Sequence, residues 1–89
     1  MIRNSCFIKR KLGNQYVIVA VGEASKRFHG MISINGCGSF IWECLEKECT
    51  LDELVTAVTD AYEIDADTAR ADVSEFLTNL KEVDAVEGE

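Results

Sequence analysis

The stretch MISINGCGSFIWECLEKE, residues 31–48, decides the fold, because two hydrophobic periods meet inside it. Met31, Ile32, Ser33 and Ile34 read as a short strand whose successive side chains take opposite faces. Beyond Asn35, the residues Cys37, Phe40, Ile41, Cys44 and Leu45 recur at helical spacing, with Trp42 beside them. Asn35 suits the N-cap, since its side-chain oxygen can accept from an otherwise unpaired amide of the first turn, although Gly36 and Gly38 weaken that turn. The chain therefore leaves a strand and enters a helix at one Asn-Gly hinge, which ends the sheet at an unpaired edge.

Toward the N-terminus, GEASKRFHG (22–30) is polar and bounded by glycines, which predicts a loop. YVIVAV (16–21) has the β-branched and aromatic content of a strand. Gly13-Asn14 supplies a turn back to Phe7–Leu12, so these two segments form a hairpin, with the third strand antiparallel to the second. The basic run Lys9-Arg10-Lys11 marks an exposed or edge strand, where charge resists random pairing. A hairpin alone is marginal in water, whereas three strands with one apolar face can be covered by helices.

Toward the C-terminus, Thr50-Leu51-Asp52-Glu53 matches a capping box and opens a helix with the apolar face Leu51, Leu54, Val55, Val58 and Tyr62. Asp65 or Asp67 caps a third helix of about 15 residues, in which Ala69, Val73, Phe76, Leu77 and Leu80 form one stripe. The order β-β-β-α-α-α predicts an α+β fold, a three-stranded antiparallel sheet followed by three helices packed on one sheet face. Two short helices and a longer third beside a small sheet resemble a winged helix-turn-helix, here with the sheet first.

No proline, repeat or low-complexity linker interrupts the chain, so residues 1–89 are expected to form one domain. With 47% hydrophobic and 28% charged residues the composition is that of a globular protein. Its longest apolar run, Tyr16–Val21, is far short of the ~20 residues of a bilayer span, and the first residues lack a signal-like apolar core. A cytoplasmic location, with no membrane partner, is the expectation. Net charge is −7, divided unevenly: residues 1–35 carry six basic side chains against Glu23, while residues 36–89 carry Lys47, Arg70 and Lys81 against fifteen acids. The two halves should attract each other and show surfaces of opposite sign.

The sequence argues against catalysis. His29, the only histidine, has no matched Ser or Cys neighbour and reads as an exposed loop residue. Cys6, Cys37, Cys44 and Cys49 contain no CxxC pair, and Cys37 and Cys44 share a helix face with apolar neighbours, so they read as small hydrophobes, with neither metal nor cofactor expected. NGCGSF (35–40) places glycines before a helix as phosphate-binding loops do, yet without a Lys or a βαβ crossover. Glu46/Glu48 and Asp65/Asp67 are read as caps and solvated faces rather than acid-base pairs. The third helix, DADTARADVSEFLTNLKE (65–82), is acidic and would be repelled by a phosphate backbone, which argues against a nucleic acid partner.

From Tyr16 to Glu82 the succession of elements resembles the PqqD-like proteins, the peptide chaperones also called RiPP recognition elements. The residues that carry the likeness are the apolar strand leading to Asn35, GSFIWECL (38–45), TLDELVTAV (50–58) with Tyr62 at its end, and the closing run from Asp72 to Leu80. The resemblance implies a non-catalytic domain that binds the leader segment of a ribosomally made precursor peptide and delivers it to a modifying enzyme, often a radical SAM protein or a cyclase. It places the leader as an added strand along Met31, Ile32, Ser33 and Ile34, with a groove wall from Val73, Phe76, Leu77 and Leu80, and Phe76 as the aromatic anchor. Cysteines at 37, 44 and 49 depart from the small, apolar or polar residues expected there. Two other readings compete: an acidic winged-helix DNA-binding regulator, and a self-associating structural subunit, a homodimer whose edge strand pairs with its own copy.

Overall fold

In the computed structural model, which describes every residue except Arg27, Phe28, His29 and Glu89, the chain runs β1 (Ile2–Arg3), β2 (Phe7–Leu12), β3 (Gln15–Ala20), a 3-10 turn (Gly22–Lys26), β4 (Met31–Ile34), α1 (Gly36–Cys44), α2 (Leu51–Tyr62), α3 (Ala66–Glu82) and β5 (Val86–Glu87). The reading of His29 as an exposed loop histidine falls outside the described residues. The predicted α+β order is present, with β2, β3 and β4 as an antiparallel sheet in that spatial order and the three helices after it. Gly13, at φ +62°, makes the tight turn between β2 and β3 that a side chain would strain. The segment expected to be a plain loop contains the 3-10 turn, closed by Ser25 Oγ donating to the Gly22 carbonyl at 2.6 Å.

Register decides which face of the sheet meets the helices. Lys9 lies opposite Ile18 and Ile18 opposite Ile32, while Tyr16 lies opposite Ile34. These residues, with Phe7, share one pleat face. Ile18 is wholly buried, and Lys9 Nζ reaches Ser39 Oγ on α1 at 2.8 Å and Glu43 at 2.6 Å, so this is the helix side. The basic run is thus divided: Arg10 and Lys11 are exposed on the edge strand β2, while Lys9 joins the basic half of the chain to the acidic half.

The helices begin where side chains satisfy their first amides. Asn35 accepts from the Gly38 amide at 2.7 Å. Thr50 and Glu53 exchange both capping-box bonds, at 3.1 and 2.8 Å. Asp65, rather than Asp67, caps α3 by accepting from the Thr68 amide at 2.8 Å. Trp42, Ile41, Leu45, Leu54, Val58, Val73 and Leu80 close over Ile18 in one core. Tyr62, expected in that core, is 44% exposed: its ring stands edge-on to Phe40 at 5.6 Å and its hydroxyl donates to the Gly36 carbonyl at 3.3 Å, tying the end of α2 to the start of α1.

A second sheet was not anticipated from the sequence. β1 and β5 pair antiparallel, Ile2 with Glu87 and Arg3 with Val86. The Arg3 amide also donates to the Leu45 carbonyl at 2.9 Å and the Asn4 amide to the Ala85 carbonyl at 2.8 Å. This clasp buries Met1, Ala85 and Val86 beneath the helices, on the side where α1 ends.

Candidate functional site: an open strand edge beside a cleft

β4 is the last strand of its sheet, and which of its backbone groups face outward follows from parity. The Val21 amide donates to the Cys6 carbonyl at 2.7 Å, which makes Cys6 and Val21 a hydrogen-bonded pair in the β2–β3 register. Such pairs alternate along an antiparallel ladder, so Gln15, Val17 and Val19 bond toward β2, and Tyr16 and Ile18 bond toward β4. Their partners Ile34 and Ile32 therefore spend their amides and carbonyls inside the sheet. Met31 and Ser33 aim theirs at the open flank, where no backbone bond from the described residues meets them. Met31 is 58% exposed and Ser33 is exposed as well.

Beside this flank lies a cleft of about 260 Å³ between β4 and α3. Ile32 and Ile34 form the sheet wall, Gly38 and Ile41 of α1 the floor, and Phe76 the helix wall. Gly38 matters for its missing side chain: a Cβ there would stand 3.2 Å from Ile34 Cβ and 3.2 Å from Phe76 Cε1, and would crowd the two walls. Asp72, Glu75 and Asn79 complete the α3 side, all of them exposed. With Phe76 they occupy one helical face, a repeat of three and four residues that lies beside the apolar stripe and carries no hydrophobic signal of its own.

The structure thus divides the predicted site residues. Met31, Ile32, Ser33 and Ile34 form the edge strand, and Ile32, Ser33 and Ile34 line the cleft with Phe76. Val73 and Leu80 are 0% exposed and Leu77 4%, so these three side chains face the core and hold α3 in place without lining the cleft. Cys37 also lines the cleft, and its thiol is pushed up from the ordinary value by burial and then by the charge of Asp72. Burial likewise raises the thiols of Cys44 and Cys49, so all three favour the protonated form, which is a poor nucleophile and a poor metal ligand. Among the described residues no three His, Cys, Asp or Glu side chains converge as metal ligands would, and no helix is long and apolar enough to cross a membrane.

The family model for PqqD, coenzyme PQQ synthesis protein D, matches residues 15–86, from β3 into β5. The chain belongs to the PqqD family. Within that PqqD span lie the edge strand, the cleft and every predicted site residue. The chain is also similar to the solved structure of TbiB1 in complex with the TbiA(beta) leader peptide: TM-score 0.76, 22% identity, 100% of this chain and 98% of that chain covered. At that identity the likeness establishes a shared fold, which extends through β1 and β2 beyond the PqqD match. A search of curated proteins returned no match.

Proposed function

We propose that this PqqD-family chain is a non-catalytic RiPP recognition element: it binds the leader segment of a ribosomally synthesised precursor peptide by strand addition to β4 and presents it to a modifying enzyme, of radical SAM or similar kind. The observation that carries the reading is the open flank of β4, with the outward amides and carbonyls of Met31 and Ser33 beside a cleft walled by Phe76. An extended peptide gains main-chain hydrogen bonds at such an edge, and its alternate side chains enter the neighbouring pocket. Two outward residues offer up to four backbone bonds, each contributing about 0.5–1.5 kcal/mol net. The cleft of about 260 Å³ has room for one or two side chains of such a peptide. Family membership supports the reading, as does the leader peptide bound to the structural neighbour TbiB1.

The competing readings draw less support. The exposed face of α3 carries Asp67, Asp72, Glu75 and Glu82 against Arg70 and Lys81, and Arg70 is already paired with Asp52 at 2.7 Å. A helix so charged repels DNA. Self-association through β4 would compete for the same flank and lower peptide affinity as protein concentration rises.

The test is a titration of the full 89-residue chain with synthetic N-terminal halves of the short peptides encoded beside its gene. Saturable one-to-one binding that survives physiological salt is expected. Indifference to all of these peptides, with tight salt-sensitive binding to duplex DNA instead, would overturn the proposal.

A further inference from the structure

The cleft combines apolar walls from Ile32, Ile34, Ile41 and Phe76 with polar groups at Ser33 and Asn35 and an acidic lip on α3. Asp72, Glu75 and Asn79 stand along the α3 lip at positions i, i+3 and i+7, on the face that presents Phe76. Among the described residues, neither Asp72 nor Glu75 has a salt-bridge or hydrogen-bond partner, and no Lys or Arg lines the cleft. Among the described cations, Lys9 is paired with Glu43 and Ser39, and Arg70 with Asp52. Among the described residues the site therefore presents two carboxylates without a partner to whatever enters it.

We infer that the peptide held in this cleft carries a Lys or Arg two residues from an apolar anchor, the anchor seated against Ile34 and Phe76 and the cation reaching Asp72 and Glu75. This rests on the strand-addition reading above and specifies the chemistry of the occupant. Side chains of an added strand enter the cleft at every second residue, about 6.8 Å apart. The lip from Asp72 to Asn79 extends roughly 10 Å along the helix axis, room for two such side chains. One faces the gap over Gly38 between Ile34 and Phe76, where only an apolar group is desolvated without loss. The other faces the carboxylates, where a Lys or Arg lays its apolar stem along the Phe76 wall and keeps its charge at the lip. An Asp or Glu at that position meets repulsion from both.

The experiment is a selection of random dodecamers, displayed on phage, against the full chain and in parallel against the Asp72→Asn/Glu75→Gln double variant. Both positions are exposed, and thermal melts establish that the variant is folded. The expected result is an apolar residue, one free position, then a cation favoured over an acid by about tenfold, the size that two exposed ion pairs support. In the double variant the cation preference disappears while the apolar anchor remains. Peptides with the anchor but no cation preference on the unaltered chain would overturn this inference and leave strand addition standing. Selected peptides that bind Ser33→Pro as tightly as the unaltered chain would overturn strand addition, and the inference with it.

Discussion

Two proline substitutions, one residue apart, should have opposite consequences. Pro removes a backbone N–H and fixes φ, and within a sheet it is tolerated where that N–H points away from the ladder. At Ser33 the amide points to the open flank, so Ser33→Pro leaves the β3–β4 ladder intact and removes one donor from the peptide-binding edge. The lost bond, with the peptide carbonyl left without a partner, costs about 1–3 kcal/mol, a weakening of roughly 5- to 150-fold in peptide affinity. At Ile32 the amide is bonded to Ile18, so Ile32→Pro breaks the sheet itself, orphans the Ile18 carbonyl and removes an apolar wall of the cleft. Its cost of about 1–3 kcal/mol falls on folding, and at roughly 4–8 °C per kcal/mol for a chain of this size the melting temperature should drop by about 5–20 °C. Calorimetric melts and fluorescence anisotropy with a labelled leader peptide separate the two effects. Loss of stability in Ser33→Pro with a normal melt for Ile32→Pro would refute the parity assignment, and unchanged peptide affinity in a folded Ser33→Pro would refute the role of the edge.

Gly38→Ala places a methyl 3.2 Å from both Ile34 and Phe76, and peptide affinity should fall about fivefold or more while stability changes by less than about 1 kcal/mol, since crowding is offset by better helix propensity; a wild-type isotherm would show that the walls do not need this gap. Thr50→Ala removes the capping box of α2 and should cost about 0.5–2 kcal/mol in chemical denaturation, with peptide binding untouched because α2 does not line the cleft; altered binding would contradict that separation. Glu43 is held below its ordinary 4.5 chiefly by the hydrogen bond from Lys9, with the charges of Lys9 and Arg3 also favouring the carboxylate and burial opposing them. A depressed carboxyl adds stability that is present above the unfolded value and lost as pH falls through the folded one. The melting temperature should therefore fall on acidification below about pH 4.5 more steeply for the unaltered chain than for Glu43→Gln; parallel curves would remove Glu43 from the acid response.

Local chemistry was legible in the sequence, and long-range geometry was not. Asn35, Thr50 with Glu53, and the Gly13-Asn14 turn act within three or four residues of themselves, so their roles could be read directly. The four-residue β4 was found because the hinge after it is local too. β1 and β5 have two residues each and lie more than 80 positions apart, so nothing in either segment announces its partner. Periodicity placed Val73, Phe76, Leu77 and Leu80 on one stripe of α3 but could not say which flank of that stripe meets the core. Packing against α1 and α2 sends Val73, Leu77 and Leu80 inward and leaves Phe76 at the cleft. Asp72, Glu75 and Asn79 were hidden for a related reason, because polar residues on a helix normally signal solvent, and only the position of β4 makes this face a wall.

The central claim is that a peptide adds to β4 through the outward backbone of Met31 and Ser33. Residue-resolved amide hydrogen exchange, measured on the full chain with and without saturating leader peptide, tests it most directly. The account predicts new protection at the Met31 and Ser33 amides, with a much smaller change at Ile32 and Ile34, which are already bonded to β3. Protection that appears on β2 or on the exposed face of α2, with Met31 and Ser33 exchanging as freely as before, would contradict it.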